Sequence, residues 1–150
     1  MSGKTKPTDP SAKMYYNDRW SKGARANTNG VKQAGIGCLL FVGGAGSLEV
    51  KPGVQSVDTP EFLKDWKQGA LATREVLNLL RKELSLDWSF LSPSADLSPG
   101  QRTGNFRLGK DQLLVDAKGQ SRISVEDYAL AMIDEAEAPH HIRQRFTVGY

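Results

Sequence analysis

The sequence predicts an α/β fold built on a mostly parallel sheet. Three segments with helical periodicity alternate with three apolar, strand-like segments along the 150 residues. When a helix connects two strands of one sheet, the connection is a right-handed crossover and the strands run parallel. The length suffices for one domain, and 39% hydrophobic with 25% charged residues is the composition of an ordinary globular chain.

The N-terminal segment predicts a polar leader followed by a helix. Residues 1–14 contain prolines, a glycine and lysines but almost no apolar side chains, so we expect a disordered leader and a folded domain over 15–150. From about 17 to 34 apolar residues recur at helical spacing, and Gly35 is a stop signal. The expected inward-facing residues are Trp20, Ala24, Val31 and Ala34.

The first strand is predicted at Cys38–Val42, a continuous apolar run typical of strands covered on both faces. It ends in the glycine-rich residues 43–47 (GGAGS). Because Cys38 begins an apolar strand, we expect an inert thiol in the core. It is the only cysteine in the sequence, which excludes an internal disulfide and a cysteine-built zinc site.

A second helix and a second strand follow. Helical periodicity extends from about 61 to 83, and the apolar run at 86–91 predicts the strand. Ser92 and Pro93 should end this strand, because proline has no N–H to donate to the ladder. The expected inward-facing residues of the helix are Leu63, Trp66, Ala70, Leu77, Leu80 and Leu84.

The last part of the chain predicts a loop-rich insert, a helix and a final strand. Within the insert we expect short strands at 105–108 and 112–115 and a turn at 116–119. Ser124 is a typical N-cap for a helix to about Glu137, and residues 142–148 predict the last strand. The expected inward-facing residues of this helix are Val125, Tyr128, Ala129, Met132 and Ile133.

The net charge of +3 is concentrated near the N-terminus. The first 35 residues hold seven basic and two acidic side chains, whereas the rest holds 13 basic and 15 acidic ones. No aromatic stacking platform accompanies the basic leader, so a solvated tail is favoured and no nucleic-acid partner is predicted. No apolar run reaches the ~18 residues of a membrane span and no secretory signal is evident, so we expect a cytoplasmic protein without a membrane partner.

The glycine-rich residues 43–47 point most directly to function. In open α/β sheets, ligands bind beyond the carboxyl ends of the strands, and glycine lets the backbone approach a nucleotide or a flat ring. The segment is not a G-x-G-x-x-G fingerprint, a Walker A loop or a G-x-S-x-G nucleophile elbow. A plain tight turn is the more frequent role of such a cluster, so both interpretations stay open here.

Other residues with reactive side chains have simpler structural explanations. The adjacent His140 and His141 would face opposite sides of a strand, so they indicate a solvated helix exit and no metal site is predicted. Asp127 and Tyr128 fit a capping carboxylate and a core tyrosine. The acidic residues in 134–137 fit a solvated helix end. No side chain can be assigned a catalytic role.

Four long segments resemble one known family, in order and in spacing. They are GVKQAGIGCLLFVGGAGSLEV (30–50), ALATREVLNLLR (70–81), LDWSFLSPSADLSPGQRTGNFRLGKDQLLVDAKGQSRISVEDYALAMIDE (86–135) and HHIRQRFTVGY (140–150). The family is the NAD(P)H-binding, NmrA-like group of atypical short-chain dehydrogenase/reductases, which includes proteins of the NADH-flavin reductase type. The resemblance implies a Rossmann-like fold, a cytoplasmic location and nicotinamide-dependent reduction of a small acceptor.

The resemblance also implies which part of the family domain is represented. Members begin with a strand, a Gly-rich fingerprint and a helix that hold the pyrophosphate of the cofactor. These elements have no counterpart here, so we expect an incomplete, doubly wound Rossmann-like domain that matches the C-terminal two thirds of the family domain. By analogy, Gly43, Gly44, Ala45, Ser92 and Pro93 would contact the nicotinamide end of NAD(P)H.

Three hypotheses for function follow from this resemblance. The first is an NAD(P)H-dependent oxidoreductase that transfers a hydride to a flavin or quinone-like acceptor, which does not require a Tyr–Lys pair. The second is a non-catalytic, nucleotide-sensing NmrA-like module. The third is an inactive, truncated remnant whose strand Cys38–Val42 is an exposed apolar edge, and such an edge predicts a homodimer or poor solubility.

Overall fold

The computed structural model describes the backbone of residues 10–150 and the side chains from residue 18 onward. This part of the chain contains three α-helices, eight strands and two short 3-10 turns. In chain order they are α1 (Pro10–Gln33), β1 (Cys38–Val42), a 3-10 turn (Ala45–Ser47), β2 (Glu49–Lys51), β3 (Val54–Gln55), a 3-10 turn (Ser56–Asp58), α2 (Lys64–Leu80), β4 (Asp87–Ser92), β5 (Asp96–Ser98), β6 (Arg107–Gly109), β7 (Arg122–Ser124), α3 (Val125–Glu137) and β8 (Gln144–Gly149).

The main sheet has four strands in the order β1-β4-β8-β6. Strands β1, β4 and β8 run parallel, with Phe41 beside Phe90 and Leu91 beside Phe146, and β6 pairs antiparallel with β8. Helices α2 and α3 lie in the connections between the parallel strands, so the predicted α/β fold with a mostly parallel sheet is confirmed. Strands β2 and β3 form a separate antiparallel pair, and β5 and β7 form a parallel pair.

Helices cover both faces of the main sheet. On one face, Trp88 and Phe90 of β4 pack with Leu77 of α2 and with α1. On the other face, Leu91 of β4 packs with Tyr128 of α3 and with β8. Because neighbouring residues of a strand point to opposite faces, Phe90 and Leu91 enter two different hydrophobic clusters. The result is a three-layer arrangement in which β4 is buried on both sides.

Helix α1 begins earlier than predicted. It starts at Pro10, so part of the predicted disordered leader is helical, and residues 1–9 lie outside the described residues. Proline is compatible with the first helical turn, because the N–H that it lacks would have no helical partner there. Ala24 is buried as predicted, but Trp20 is exposed and Ala34 lies beyond the helix end. No helix within residues 10–150 is long and apolar enough to cross a membrane.

Helix α2 is shorter than predicted, and Leu77 and Leu80 are buried as predicted, but the rest of its buried stripe differs from the prediction. Leu63 and Leu84 lie outside it and are 66% and 77% exposed. Trp66 lies in the first turn and is 67% exposed, because this turn borders an open cleft rather than the sheet. The buried residues are Ala72, Val76, Leu77 and Leu80.

Helix α3 has the predicted N-cap, and Tyr128 is buried as predicted, but the rest of its buried face differs from the prediction. The Ser124 Oγ accepts a hydrogen bond from the backbone N–H of Asp127 at 3.0 Å. The predicted inward residues Val125, Ala129 and Ile133 are exposed. The buried residues are Asp127, Tyr128, Ala131 and Glu135, so two carboxylates occupy positions that periodicity assigns to apolar side chains.

Buried Glu135 contacts half-buried His141 where a solvated helix end was predicted. Glu135 Oε2 lies 2.7 Å from His141 Nδ1, and Glu135 Oε1 accepts from the backbone N–H groups of His140 and His141. The His141 ring stacks on Phe146 with 4.0 Å between centroids. Burial alone would raise the pKa of Glu135, but these hydrogen bonds outweigh it and hold that pKa below its ordinary value.

The insert between β4 and α3 matches the prediction only in part. Strand β6 lies at Arg107–Gly109, close to the predicted position, whereas 112–115 forms only an isolated bridge between Gln112 and Glu49. The turn at 116–119 is confirmed, since the Gly119 N–H donates to the Asp116 carbonyl at 2.9 Å. The pairing of β5 with β7 was not predicted, because each strand has only three residues and its partner is distant in sequence.

Strand β1 is an edge strand of the described sheet. Its neighbour there is β4, and its outer side faces a groove of about 670 Å³ lined by Trp20 of α1 and by Leu40. Val42 is 61% exposed and Cys38 is exposed. The predictions that this strand is covered on both faces and that Cys38 is a core thiol are therefore wrong.

We expect the β1 edge to cause self-association. An apolar edge with unpaired backbone groups is a template for pairing with another chain, and a lysine on the edge opposes such pairing. The full chain should sediment as a dimer or larger species, and Val42→Lys should shift it toward monomer. Val115→Lys is the matched control because Val115 is 44% exposed outside this edge. A monodisperse wild-type monomer would contradict the expectation.

A second prediction concerns Asp127, which lies at the centre of a buried hydrogen-bond network. Its carboxylate accepts from Thr103 Oγ1 at 2.6 Å, Tyr150 Oη at 2.7 Å and the Gly104 N–H at 2.9 Å. Burial alone would raise the pKa of Asp127, but these hydrogen bonds lower it to about 2. Because aspartate in an unfolded chain titrates near 3.9, the stability contributed by the carboxylate is complete above about pH 4 and is lost as the pH falls toward 2.

Denaturant unfolding between pH 2 and pH 7 measures this contribution. Asp127→Asn should lower the free energy of unfolding at neutral pH by about 2 kcal/mol and flatten its fall between pH 4 and pH 2. Asp134→Asn, at an exposed position of the same helix, should leave both quantities unchanged. An unchanged pH profile in Asp127→Asn would refute this role.

Candidate functional site

The predicted site residues come together at one edge of the main sheet. Because β1 and β4 are parallel neighbours, their carboxyl ends meet, and the Gly43 N–H donates to the Leu91 carbonyl at 2.8 Å. Residues 43–45 therefore lie beside Ser92 and Pro93. This is the position at which open α/β sheets bind ligands.

A cleft of about 990 Å³ opens at this edge, and a small-molecule site is of this size. Gly44, Ala45 and Pro93 line it from the strand ends. Leu63 and Trp66 line it from the beginning of α2, and Leu97 of β5 also lines it. These large apolar side chains are exposed to solvent inside the cleft.

Gly43 and Ser92 lie beside the cleft without lining it. The Ser92 carbonyl accepts from Thr147 Oγ1 at 2.8 Å, and Ser92 is fully buried. Within the described residues, its Oγ has no hydrogen-bond partner. A Cβ added to Gly43 would lie 2.3 Å from Phe90 Cε1, so the close contact between β1 and β4 requires glycine there.

The glycine-rich segment is both a tight turn and a cleft wall. Residues 45–47 form a 3-10 turn closed by a hydrogen bond from the Leu48 N–H to the Ala45 carbonyl. A Cβ added to Gly46 would lie 2.7 Å from Ala70 Cβ, so α2 packs directly on this turn. The two interpretations left open by the sequence are therefore compatible.

A buried arginine supports the turn from below. Arg145 of β8 donates from Nε and Nη2 to Asp111 Oδ1 at 2.9 and 2.6 Å, and from Nη1 to Ser47 Oγ at 3.2 Å. Asp111 in turn accepts the Glu49 N–H through its backbone carbonyl at 2.8 Å. Sequence patterns did not reveal Arg145, because its partners are 34 and 98 residues away.

Tyr128 supports the same strand end from the opposite face. Its phenol donates to the Leu91 carbonyl at 2.8 Å, as expected for a core tyrosine. Burial raises the pKa of Tyr128 well above its ordinary value. The phenol therefore stays protonated at neutral pH and acts as a structural donor.

Gln68 lines the cleft from α2 and is not among the predicted site residues. Its Oε1 is buried and has no hydrogen-bond partner in the described part of the chain. A buried acceptor without a donor carries an energetic cost. No sequence signal distinguishes this glutamine from a solvated helix residue.

The charged residues that line the cleft are all acidic. They are Glu61, Asp65 and Asp96, and no lysine or arginine of the described residues lines it. No group of three or more histidine, cysteine or acidic residues within the same described range could hold a metal ion. The cleft thus offers a ring-sized apolar space with negative charge around it.

The chain is similar to several known proteins, although no protein-family model matches it. The uncharacterized protein YwnB of Bacillus subtilis (strain 168) is 49% identical over 113 residues, which are 73% of this chain and 53% of that protein. A solved "putative exported protein" from Burkholderia pseudomallei is 46% identical with a TM-score of 0.85, over 89% of this chain and 65% of that one.

A solved "putative NADH-flavin reductase" from Streptococcus pneumoniae TIGR4 is 33% identical with a TM-score of 0.76. The match covers 95% of this chain and 67% of that one. This chain belongs to the same family. Its fold is the Rossmann-like fold of NAD(P)-binding oxidoreductases, which the family resemblance of the sequence had implied. The chain spans about half the length of the curated relative and about two thirds of these two solved relatives.

We expect the Arg145–Asp111 pair to determine the order of the 45–47 turn. Asp111→Asn removes the charge that Arg145 faces, so it should lower the free energy of unfolding by about 1–3 kcal/mol. It should also speed hydrogen exchange at Leu48, whose N–H closes the turn. Asp87→Asn is the control, since Asp87 forms only a 3.8 Å exposed pair with Arg143. Unchanged exchange at Leu48 would exclude this role.

Proposed function

We propose that the cleft is the nicotinamide-ring end of the site in an NAD(P)H-dependent reductase that acts on a small flat acceptor, a flavin or a quinone-like ring. The observation that supports this most is the placement of Gly44, Ala45 and Pro93 at the adjoining carboxyl ends of two parallel strands. Ligands of Rossmann-like folds bind at such strand ends.

The residues of the cleft fit a ring but not a pyrophosphate. Gly44 and Ala45 let a flat ring approach the backbone, and Pro93 adds a rigid apolar surface. Among the described residues, no lysine or arginine lines the cleft to hold a phosphate, and the glycine-rich segment leads into β2 rather than into a helix N-terminus. We therefore assign the ring contacts to Gly44, Ala45 and Pro93. The other two predicted residues, Gly43 and Ser92, would support these three from beside the cleft.

The residues of this chain orient the reactants and exclude water. When bound, reduced nicotinamide supplies a hydride, which together with a proton from solvent reduces the acceptor ring. The 45–47 turn is held by Arg145 and Ser47, so its backbone is positioned before any ligand binds. Trp66 and Leu63 provide apolar surface that displaces water from the acceptor.

A non-catalytic nucleotide sensor is the second candidate. No histidine, tyrosine, cysteine or lysine of the described residues lines the cleft, so these common general acids and bases are missing from its described lining. Hydride transfer to a flavin does not need such a group, but its absence fits a binding module equally well. Turnover distinguishes the two functions.

Fluorescence energy transfer to NADH and NADPH tests the proposal. Reduced nicotinamide bound in the cleft should quench Trp66, and Trp66→Phe should abolish most of the change, whereas Trp20→Phe should not. Ala45→Leu should weaken binding by about tenfold because it fills the cleft. Ala117→Leu is the matched control at an exposed turn position outside the cleft.

The outcomes separate the candidate functions. Cofactor binding with acceptor-dependent oxidation of NADPH supports the reductase. Binding of the cofactor without oxidation in the presence of riboflavin or a quinone supports the sensor. No quenching by either nucleotide at millimolar concentration would reject both functions for this chain.

A further inference from the structure

Strand β1 leaves a row of backbone groups without partners in the described sheet. Its ladder with β4 begins at the Gly37 carbonyl, which accepts at 2.9 Å, and ends at the Gly43 N–H, which donates at 2.8 Å. Every second residue of a strand bonds to the same neighbour, so the odd-numbered residues between these two also face β4. The N–H and C=O groups of Cys38, Leu40 and Val42 therefore point to the open side of the sheet.

Strand β1 lacks the usual protections of an edge strand. Its sequence, CLLFV, contains no charged residue and no proline, and its register with β4 is continuous without a bulge. Val42 is 61% exposed, and Trp20 of α1, which is 48% exposed, lines the groove of about 670 Å³ beside the strand. The open edge is therefore apolar, uncharged and accessible to a further strand.

The three outward-pointing residues are arranged symmetrically about Leu40. In an antiparallel pair centred there, Leu40 lies opposite Leu40 of a second copy, and Cys38 lies opposite Val42 of that copy. Residues opposed in this way exchange both hydrogen bonds, so the edge gives about six bonds between the chains, within the ~10 ± 5 of an ordinary interface. A register shifted by two residues leaves one of the three residues unpaired in each strand. The symmetric register is thus the one that satisfies the whole edge.

The other edge of the main sheet does not offer the same surface. It is β6, which has three residues, and Arg107 is one of them. A short edge strand with a charged side chain resists pairing with another chain. Because the described main sheet has one open apolar edge, association through β1 stops at two copies.

We propose that β1 forms the interface of a two-fold symmetric dimer, in which it pairs antiparallel with β1 of a second copy in the register centred on Leu40. The two main sheets then join into one continuous sheet. Because the paired strands run in opposite directions, the two clefts lie at opposite ends of this sheet and both stay open. The inference is independent of the proposed function.

Disulfide cross-linking of Val42→Cys tests the register. In the proposed pair the introduced thiol lies opposite Cys38 of the second copy, at a Cα separation of ~5.5 Å that suits a disulfide. Mild oxidation should give a covalent dimer at least about tenfold faster than in Val115→Cys, whose exposed side chain lies outside the edge. The wild-type chain should not cross-link, because its two thiols lie about 13 Å apart along the joined strands.

A double variant identifies which thiols are joined. Cys38→Ser combined with Val42→Cys should not cross-link, because antiparallel pairing keeps the two introduced thiols far apart. Fast cross-linking of the double variant would indicate parallel pairing of the two strands and would overturn the proposal. A Val42→Cys chain that cross-links no faster than Val115→Cys would overturn it as well.

Hydrogen exchange of the wild-type chain tests the interface without a substitution. In the dimer, the N–H groups of Cys38, Leu40 and Val42 should exchange at least about tenfold more slowly than after dilution to monomer. The N–H groups of Leu39 and Phe41, which face β4, should change much less. Equal changes at all five residues would reject the pairing. Sedimentation of the wild-type chain as a monomer at every concentration, or as species larger than a dimer, would reject it too.

Discussion

The parallel pairing of β1 with β4 is the contact on which the rest of the structure depends. It aligns Phe41 with Phe90 and carries the glycine-rich turn to the end of β4. The ladder continues one residue further, from the Gly43 N–H to the Leu91 carbonyl. Because a Cβ at Gly43 would collide with Phe90, glycine at this position allows the close packing of β1 on β4. This packing places the next residues, Gly44 and Ala45, in the lining of the cleft.

The sites of positive and negative charge near the cleft have separate roles. Arg145 is buried below the turn and satisfied by Asp111 and Ser47, so its charge stabilises the loop rather than a ligand. The carboxylates of Glu61, Asp65 and Asp96 line the cleft and form no ion pair among the described residues. This division gives the chain a rigid wall and an acidic entrance.

Much of the fold was predictable, because short-range sequence patterns specify where its helices and strands begin and end. The apolar run of β1, the proline after β4 and the cap at Ser124 each specify a boundary through nearby residues. The buried faces of the helices were harder. Leu63 and Trp66 match the helical period, yet they border the cleft, whereas Glu135 breaks the period and is buried. The periodicity of apolar residues predicts that a helix has an apolar face, but it does not show which neighbouring element covers that face.

The sequence by itself determined the order of the three helices and of the parallel strands β1, β4 and β8, together with the ends of β1 and β4. Only the tertiary structure decided that β1 is an edge strand, that Arg145 supports the turn, and that the cleft is apolar and acidic. The physical reason is range. Backbone conformation depends on residues a few positions apart, whereas burial and charge at the cleft depend on which distant elements come together there.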